Sequence, residues 1–334
     1  MTRLLAAALL AVTFTSLPGP WDRADVVQPR VAAQTAAASP VVGVGNFSHI
    51  VQDLDRSLAF YRDVLGLEPA NTMGWSNMPA IMQLGNTPGA QSRMAALRVP
   101  GSQLGVELIE YKDIERKPQR PRFQDPGAAN LQLTVRQLAP IVPKLVPAGA
   151  TILTPDGPLD FNGGQYLFVQ DPDGFVVEII QPPDAATRPG TDSVLGGAFE
   201  LTVADSEESV RFYNELLGFT MTLGASFNEN QTMARTAGTP GASFRQSRAP
   251  IPGTTVTMTL IEFRNIERKA LSGRTQDPGT AILQLRVADV AAAVARMKAA
   301  GATVVTTGGA PVTIGTLQIA LVRDPNNLLL ELMQ

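Results

Sequence analysis

The chain has 334 residues, 44% of them hydrophobic and 17% charged, a composition that supports packed globular structure and is long enough for two ordinary domains. A net charge of −3 and a pI near 5.4, with no run of Lys or Arg, argue against nucleic acid or an anionic membrane surface as a partner. The absence of Cys excludes disulfides, thiolate metal sites, a Cys nucleophile and lipoprotein acylation, and a single histidine, His49, excludes a multi-His site.

The chain opens with Arg3, an apolar run from Leu4 to Phe14 and the breakers Pro18, Gly19 and Pro20. That order is the pattern of a secretory signal, and the run is too short to span a bilayer. Residues 1–33 are therefore expected to be removed and 34–42 to serve as a linker, giving a periplasmic or secreted protein with no membrane segment in its mature form.

From residue 43 the periodicities alternate. Phe47 to Val51 reads as a strand, and Asp53 or Asp55 caps a helix from Ser57 to Leu65 that Gly66 stops. Strand-like runs follow at Leu67 to Met73, Met94 to Val99 and Gly105 to Tyr111. The order then restarts with a strand at Leu131 to Val135, a helix from Leu138 to Val146 ended by Gly149, and strands near Thr151, Tyr166 to Gln170 and Phe175 to Ile180. Pro140 and Pro143 fall in the first turns of that helix, where a missing N–H costs little.

Laid on itself at a shift of 152, the chain repeats. Phe60-Tyr61 meets Phe212-Tyr213, Ile114-Glu115-Arg116-Lys117 meets Ile266-Glu267-Arg268-Lys269, and Gln124-Asp125-Pro126-Gly127 meets Gln276-Asp277-Pro278-Gly279. One inserted residue after Thr151 moves the shift to 153, so that Asp171-Pro172 meets Asp324-Pro325. Two modules result, 43–183 and 193–334, with 184–192 as the linker between them.

The stretch Phe47-Ser48-His49-Ile50-Val51, then Phe60-Tyr61-Arg62-Asp63-Val64-Leu65-Gly66-Leu67, and the closing Asp171-Pro172-Asp173-Gly174-Phe175-Val176-Val177-Glu178 resemble the vicinal oxygen chelate superfamily, the glyoxalase, bleomycin resistance and dioxygenase fold. The resemblance covers nearly all of 43–334. It implies an α+β protein of two tandem domains, each a pair of βαβββ units forming a curved mixed-sheet cup with ligands projecting inward. Carried over residue by residue, it places His49, Glu107, Asn130 and Glu178 at the ligand positions of the first cup, and Leu201, Thr259, Ile282 and Glu331 at those of the second. The first cup is thus expected to be polar and the second mostly apolar.

On this reading His49, Glu107 and Glu178 converge as metal ligands, with Glu178 or Glu107 as the catalytic base and Asn130 and Trp75 at the substrate. The metal would be a divalent ion, Zn, Ni, Mn, Mg or Fe. Residues shared by both modules, Glu110/Glu262, Arg116/Arg268 and Asp125/Asp277, are read instead as a structural ion-pair network. The resemblance implies a glyoxalase-like lyase or isomerase acting on a small molecule with neighbouring oxygens. The alternative is a non-catalytic small-molecule binder of the bleomycin-resistance kind. Extradiol cleavage fits one histidine less well, and a homodimer is compatible with either reading.

Overall fold

The structure, a computed structural model, describes residues 39–334; the expected signal segment and most of the linker 34–42 lie outside the described residues. The first module contains β1 (Val41–Ile50), α1 (Leu54–Ala59, continued by a wider turn over Phe60–Val64), β2 (Glu68–Ser76), α2 (Pro79–Gly85), β3 (Gln91–Arg98), β4 (Gly105–Lys112), β5 (Ala129–Val135), α3 (Val142–Leu145), β6 (Thr151–Ile152), β7 (Leu159–Phe161), β8 (Gly164–Gln170) and β9 (Val176–Gln181). The second contains β10 (Val194–Val203), α4 (Ser206–Leu217), α5 (Gln231–Thr236), β11 (Ser243–Pro250), β12 (Thr257–Arg264), β13 (Ala281–Val287), α6 (Val290–Ala299), β14 (Val312–Ile314), β15 (Leu317–Arg323) and β16 (Leu329–Met333).

Local chemistry sets the helix boundaries. Asp53, Asp205 and Asp289 each turn a carboxylate onto the free N–H groups of the first turn of α1, α4 and α6. The helix expected from Leu138 shrinks to the four residues of α3 plus a short tight turn, because Pro140, Pro143 and Pro147 remove three N–H donors within eight residues. Its counterpart α6 carries no proline and runs ten residues. The short helices α2 and α5 have no periodicity long enough to be read from sequence.

The sheets do not close module by module. β1 pairs in parallel with β4 on one side and antiparallel with β13 of the second module on the other, while β10 sits likewise between β12 and β5. Two eight-stranded curled sheets result: one in the order β14-β15-β16-β13-β1-β4-β3-β2, the other β11-β12-β10-β5-β9-β8-β6 with β7 added beside β8. Each cup therefore takes its first half from one module and its second half from the other, which corrects the expectation of one cup per module.

The exchange is made by two long crossings, residues 113–128 and 265–280, which contain the repeated motifs. Asp277 accepts from the N–H of Lys117 and Asp125 from that of Lys269, each at 2.8 Å. The same carboxylates hold Arg274 and Arg122, whose guanidinium groups reach Glu115 and Glu267 on the opposite crossing. Gly127 and Gly279 both adopt φ of +92°, and a side chain there would strike the carbonyl of Asn326 or Gln119. Asp125 and Asp277 are thus scaffold, as their repetition suggests.

Alternation along each strand sends one set of side chains to a shared interior and the other into a cup. The outer faces of both sheets and the longer helices form one continuous core, in which the repeat-related Phe47 and Phe199 meet edge to face at 5.0 Å. The motifs that opened and closed each module meet here too: the Tyr61 hydroxyl donates to Asp171 and the Tyr213 hydroxyl to Asp324, tying each helix to its final hairpin. Two satellite clusters fill the inner faces. Under α2 lie Ile50, Tyr111, Ile282 and Leu321, and under α5 lie Phe168, Phe244, Ile261 and Phe263.

Candidate functional site

The sheet built on β1, β4, β13 and β16 forms cup A. Ser48 lies opposite Glu107 and Gln284 opposite Glu331, so the four side chains share one face across four adjacent strands. The Ser48 hydroxyl donates to Glu107 Oε2 at 2.8 Å, Gln284 Nε2 donates to the same oxygen at 3.0 Å, and Gln284 Oε1 accepts from the Asn46 N–H at 2.9 Å. Burial pushes the Glu331 carboxyl up to about 8, with the Glu107 charge adding to it. Glu107 is also raised by burial, its bonds from Ser48 and Gln284 pulling the other way. Two buried carboxyls that disfavour each other's ionisation leave one able to donate a proton and one able to accept it at neutral pH.

A cavity of about 430 Å³ opens beside this pair. Among its lining residues are Asn46, Gly105 and Arg286, which stand two positions from Ser48, Glu107 and Gln284 on the same faces of β1, β4 and β13. The cavity is thus the next side-chain layer along the sheet, about 7 Å away.

Cup B is built on β10, β12, β5 and β9. Glu200 lies opposite Thr259, and Gln132 opposite Glu178, to which its Nε2 donates at 2.6 Å. Burial and then the Glu178 charge raise the Glu200 carboxyl far above its ordinary value. Asn130 pairs with Glu200 across β5 and β10 and shares its face. Both Asn130 side-chain atoms and Glu200 Oε2 are buried without a hydrogen-bond partner among the described residues. Arg248, opposite Thr259 on β11, is lowered by burial.

The expected triad does not converge. Glu107 belongs to cup A, and Glu178 with Asn130 to cup B. His49 lies on neither inner face, because the strand's alternation points Ser48 and Ile50 into cup A and His49 with Phe47 and Val51 into the core. Its ring packs on Phe47 and Phe175 at 4.2 and 4.0 Å, and burial drops its pKa to about 3, so it stays neutral. Nor is Trp75 in the cup: its ring stacks on Arg93 and Lys112, which alternate to the face opposite Glu107. The second cup is not apolar either: cup A holds two carboxyls, an amide and a hydroxyl, and cup B holds the same groups with a second amide, Asn130. Sequence reasoning misses Ser48, Gln284, Glu200 and Gln132 as members of the cups, and it assigns Glu331 to the second cup when the structure places it with Glu107 in cup A. Their signal is period two, as in Phe199-Glu200-Leu201, where one acid interrupts an apolar strand.

A protein of two curled βαβββ sheets, each with a carboxyl pair on its inner face, defines a cup-fold class. The model of the Glyoxalase/Bleomycin resistance protein/Dioxygenase superfamily matches residues 43–179 and 197–332, and the chain belongs to that superfamily. A 2-epi-5-epi-valiolone epimerase of Actinomyces sp is 29% identical over 153 residues, 43% of this chain and 82% of that protein. Glyoxalase I from Zea mays superposes with a TM-score of 0.57 at 17% identity, covering 87% of this chain and 92% of its own. A point mutant of the same Zea mays enzyme gives 0.56 at 18% identity, over 87% of this chain and 93% of its own. These structural likenesses show the fold.

Members of the superfamily commonly bind divalent metals. Among the described residues no three His, Cys, Asp or Glu cluster as a ligand set. Cup B nonetheless fits a hard ion, because the partnerless Asn130 Oδ1 and Glu200 Oε2 lie beside a second carboxylate. An all-oxygen donor set suits Mg or Mn better than Zn or Ni, the more so with His49 out of reach.

Proposed function

We propose that the protein is an isomerase-type or lyase-type enzyme that moves a proton on a small substrate carrying a carbonyl, with cup A as the catalytic cup. The observation that carries this reading is the buried Glu107 and Glu331 pair, one side-chain layer from an open cavity. The ionised member takes a proton from the carbon next to the carbonyl, while the protonated member donates to the carbonyl oxygen, giving an enol. Reversal from the same or the other side returns the proton to carbon, so no oxidant or co-substrate is needed. Ser48 and Gln284 hold the Glu107 oxygen in place for the transfer. In cup B, Glu178, Glu200 and Asn130 would hold a divalent ion, whose charge would offset the two carboxylates and polarise a bound oxygen.

Incubation with small hydroxy ketones, keto sugars and oxo acids in D₂O tests the reading. At least one is expected to incorporate deuterium next to its carbonyl with the wild type and not with Glu107→Gln or Glu331→Gln. If none exchanges, or if both variants still exchange it, the reading is lost.

We also propose that the chain is exported, on the strength of Arg3, the apolar run and the Pro-Gly-Pro breaker. Intact mass of protein from the native cell envelope would show loss of roughly the first 33 residues, as a cleaved signal requires, whereas retention of Met1 in a cytosolic fraction would refute it.

A further inference from the structure

We propose that the cavity at the mouth of cup A is a carboxylate-binding subsite, in which Arg286 and Arg98 seat the carboxylate of a small oxo or hydroxy acid and leave its next carbon facing Glu107 and Glu331. The inference rests on cup A being the seat of proton transfer, and its own support is separate.

Arg98 lies opposite Gly105 on the cup face of β3, and Arg286 follows Gln284 on that of β13. Arg98 is paired with Glu68 at 2.8 Å, but Arg286 makes no ion pair or hydrogen bond among the described residues. The Asn46 side chain, which also lines the cavity, has no hydrogen bond there either. A Cβ on Gly105 would collide with Asn46 Oδ1, so the glycine is what lets that amide lie along the cavity wall. A guanidinium fork with an amide donor beside it matches the two oxygens of a carboxylate.

The internal repeat sharpens the assignment. At the same positions in cup B, Arg98 becomes Pro250, Arg286 becomes Thr134, Asn46 becomes Ala198 and Glu68 becomes Thr220. The two guanidinium groups and the amide beside them are therefore private to cup A, as expected of a ligand subsite and not of a fold requirement. Two arginines and one glutamate leave a single net positive charge, which balances a carboxylate and undershoots a phosphate dianion.

Titration of the full chain with pyruvate, with its neutral counterpart hydroxyacetone and with inorganic phosphate tests this, followed by chemical shifts or thermal midpoint. Pyruvate is expected to bind saturably, with hydroxyacetone and phosphate each weaker, and Arg286→Gln should weaken pyruvate about tenfold or more, as loss of a charge-assisted pair predicts. Glu68→Gln should tighten it by roughly twofold to threefold by freeing Arg98, a gain that a purely structural arginine cluster would not show. Hydroxyacetone binding as well as pyruvate, phosphate binding more tightly, or Arg286→Gln leaving pyruvate unchanged would each overturn the proposal. Glu107→Gln separates the two readings: it should keep pyruvate binding while losing proton exchange. Carboxylate binding lost in Arg286→Gln without any proton exchange in the wild type would remove the catalytic reading and leave the subsite standing.

Discussion

Cup A and cup B share four groups, two of them in exchanged places, and cup B adds the amide of Asn130. In cup A the first strand brings a hydroxyl, Ser48, and the strand beside it a carboxyl, Glu107; in cup B the first strand brings the carboxyl, Glu200, and its neighbour the hydroxyl, Thr259. Because each pair is in register across a parallel ladder, exchanging the two preserves the composition of the face. The other two positions, Gln284 with Glu331 and Gln132 with Glu178, are the same in both. The cups differ in what surrounds this set. Cup A satisfies Glu107 internally and opens onto a charged cavity, whereas cup B leaves Asn130 and Glu200 with unmet bonds and is packed with Phe123, Phe168, Phe244 and Phe263. On the proposed reading, this shared set serves proton transfer in one place and ion binding in the other, according to access and hydrogen bonding.

The largest effect expected from this division is on turnover. Glu107→Gln keeps the shape and removes the ionisable oxygen, so the exchange rate should fall by about 10²-fold to 10⁴-fold, the usual scale of a lost general acid or base. Thr259→Ser, the matching position in cup B, should stay within a few fold. Equal losses in both would show that the two cups act together.

The two modules also differ at their closing turns. Burial, with Asp173 beside it, raises Asp171 to about 7, while Asp324 reaches about 6 by burial, with Asn326 in the place of the second acid. An unfolded aspartate titrates near 3.9, so between roughly pH 4 and 7 the folded chain keeps protons that the unfolded chain has released. Stability from these groups is therefore greatest at the acid end of that window and falls as pH rises through it. Each tenfold change in proton affinity between the two states is worth about 1.4 kcal/mol, so the loss is on the order of 4 kcal/mol for Asp171 and about 3 kcal/mol for Asp324. Urea midpoints between about pH 4 and 8 should fall less steeply in Asp171→Asn than in the wild type, and Asp324→Asn should flatten them less. Parallel profiles in all three proteins would contradict this account.

If cup B holds an ion as proposed, binding should separate the cups by about 2 kcal/mol with the ion at tens of times its dissociation constant. Mn²⁺ is expected to raise the thermal midpoint of the wild type and of Glu107→Gln, and to have little effect on Glu200→Gln. If Glu107→Gln loses the response and Glu200→Gln keeps it, the ion belongs to cup A.

Much of this fold is legible in the sequence because its signals are local. Period-two strands, Asp caps, the stops at Gly66 and Gly149 and the internal shift all act within a few residues or repeat identically. Strand partners are not local. Whether β1 pairs with β5 or β13 is decided by the crossings at 113–128 and 265–280, whose motifs reveal that they matter but not which sheet they enter. The site escapes the sequence for the same reason. Glu107 and Glu178 are both inward-facing carboxyls, but in different cups, each beside an acid of the other module. The error at His49 is of another kind: a one-residue choice of face, which inverts every assignment on a strand. Nothing in Ser48 itself marks it as the inward group beside so conspicuous a neighbour.

That choice of face yields the smallest predicted effect. His49 is wholly buried and neutral, with Nε2 unpartnered among the described residues and Nδ1 only 3.4 Å from the Tyr61 hydroxyl. The hydroxyl's better bond, 2.9 Å, runs to Asp171 and does not depend on the imidazole. Leu201 fills the same place in the second module, where Tyr213 bonds Asp324 in the same way. A buried ring nitrogen without a partner costs free energy that a leucine does not, while leucine's different shape costs some packing. His49→Leu should therefore change stability by no more than about 1 kcal/mol in either direction, and should leave both proton exchange and the Mn²⁺ response intact. Loss of either activity in a folded His49→Leu protein would return the histidine to the site and reverse the face assigned to β1.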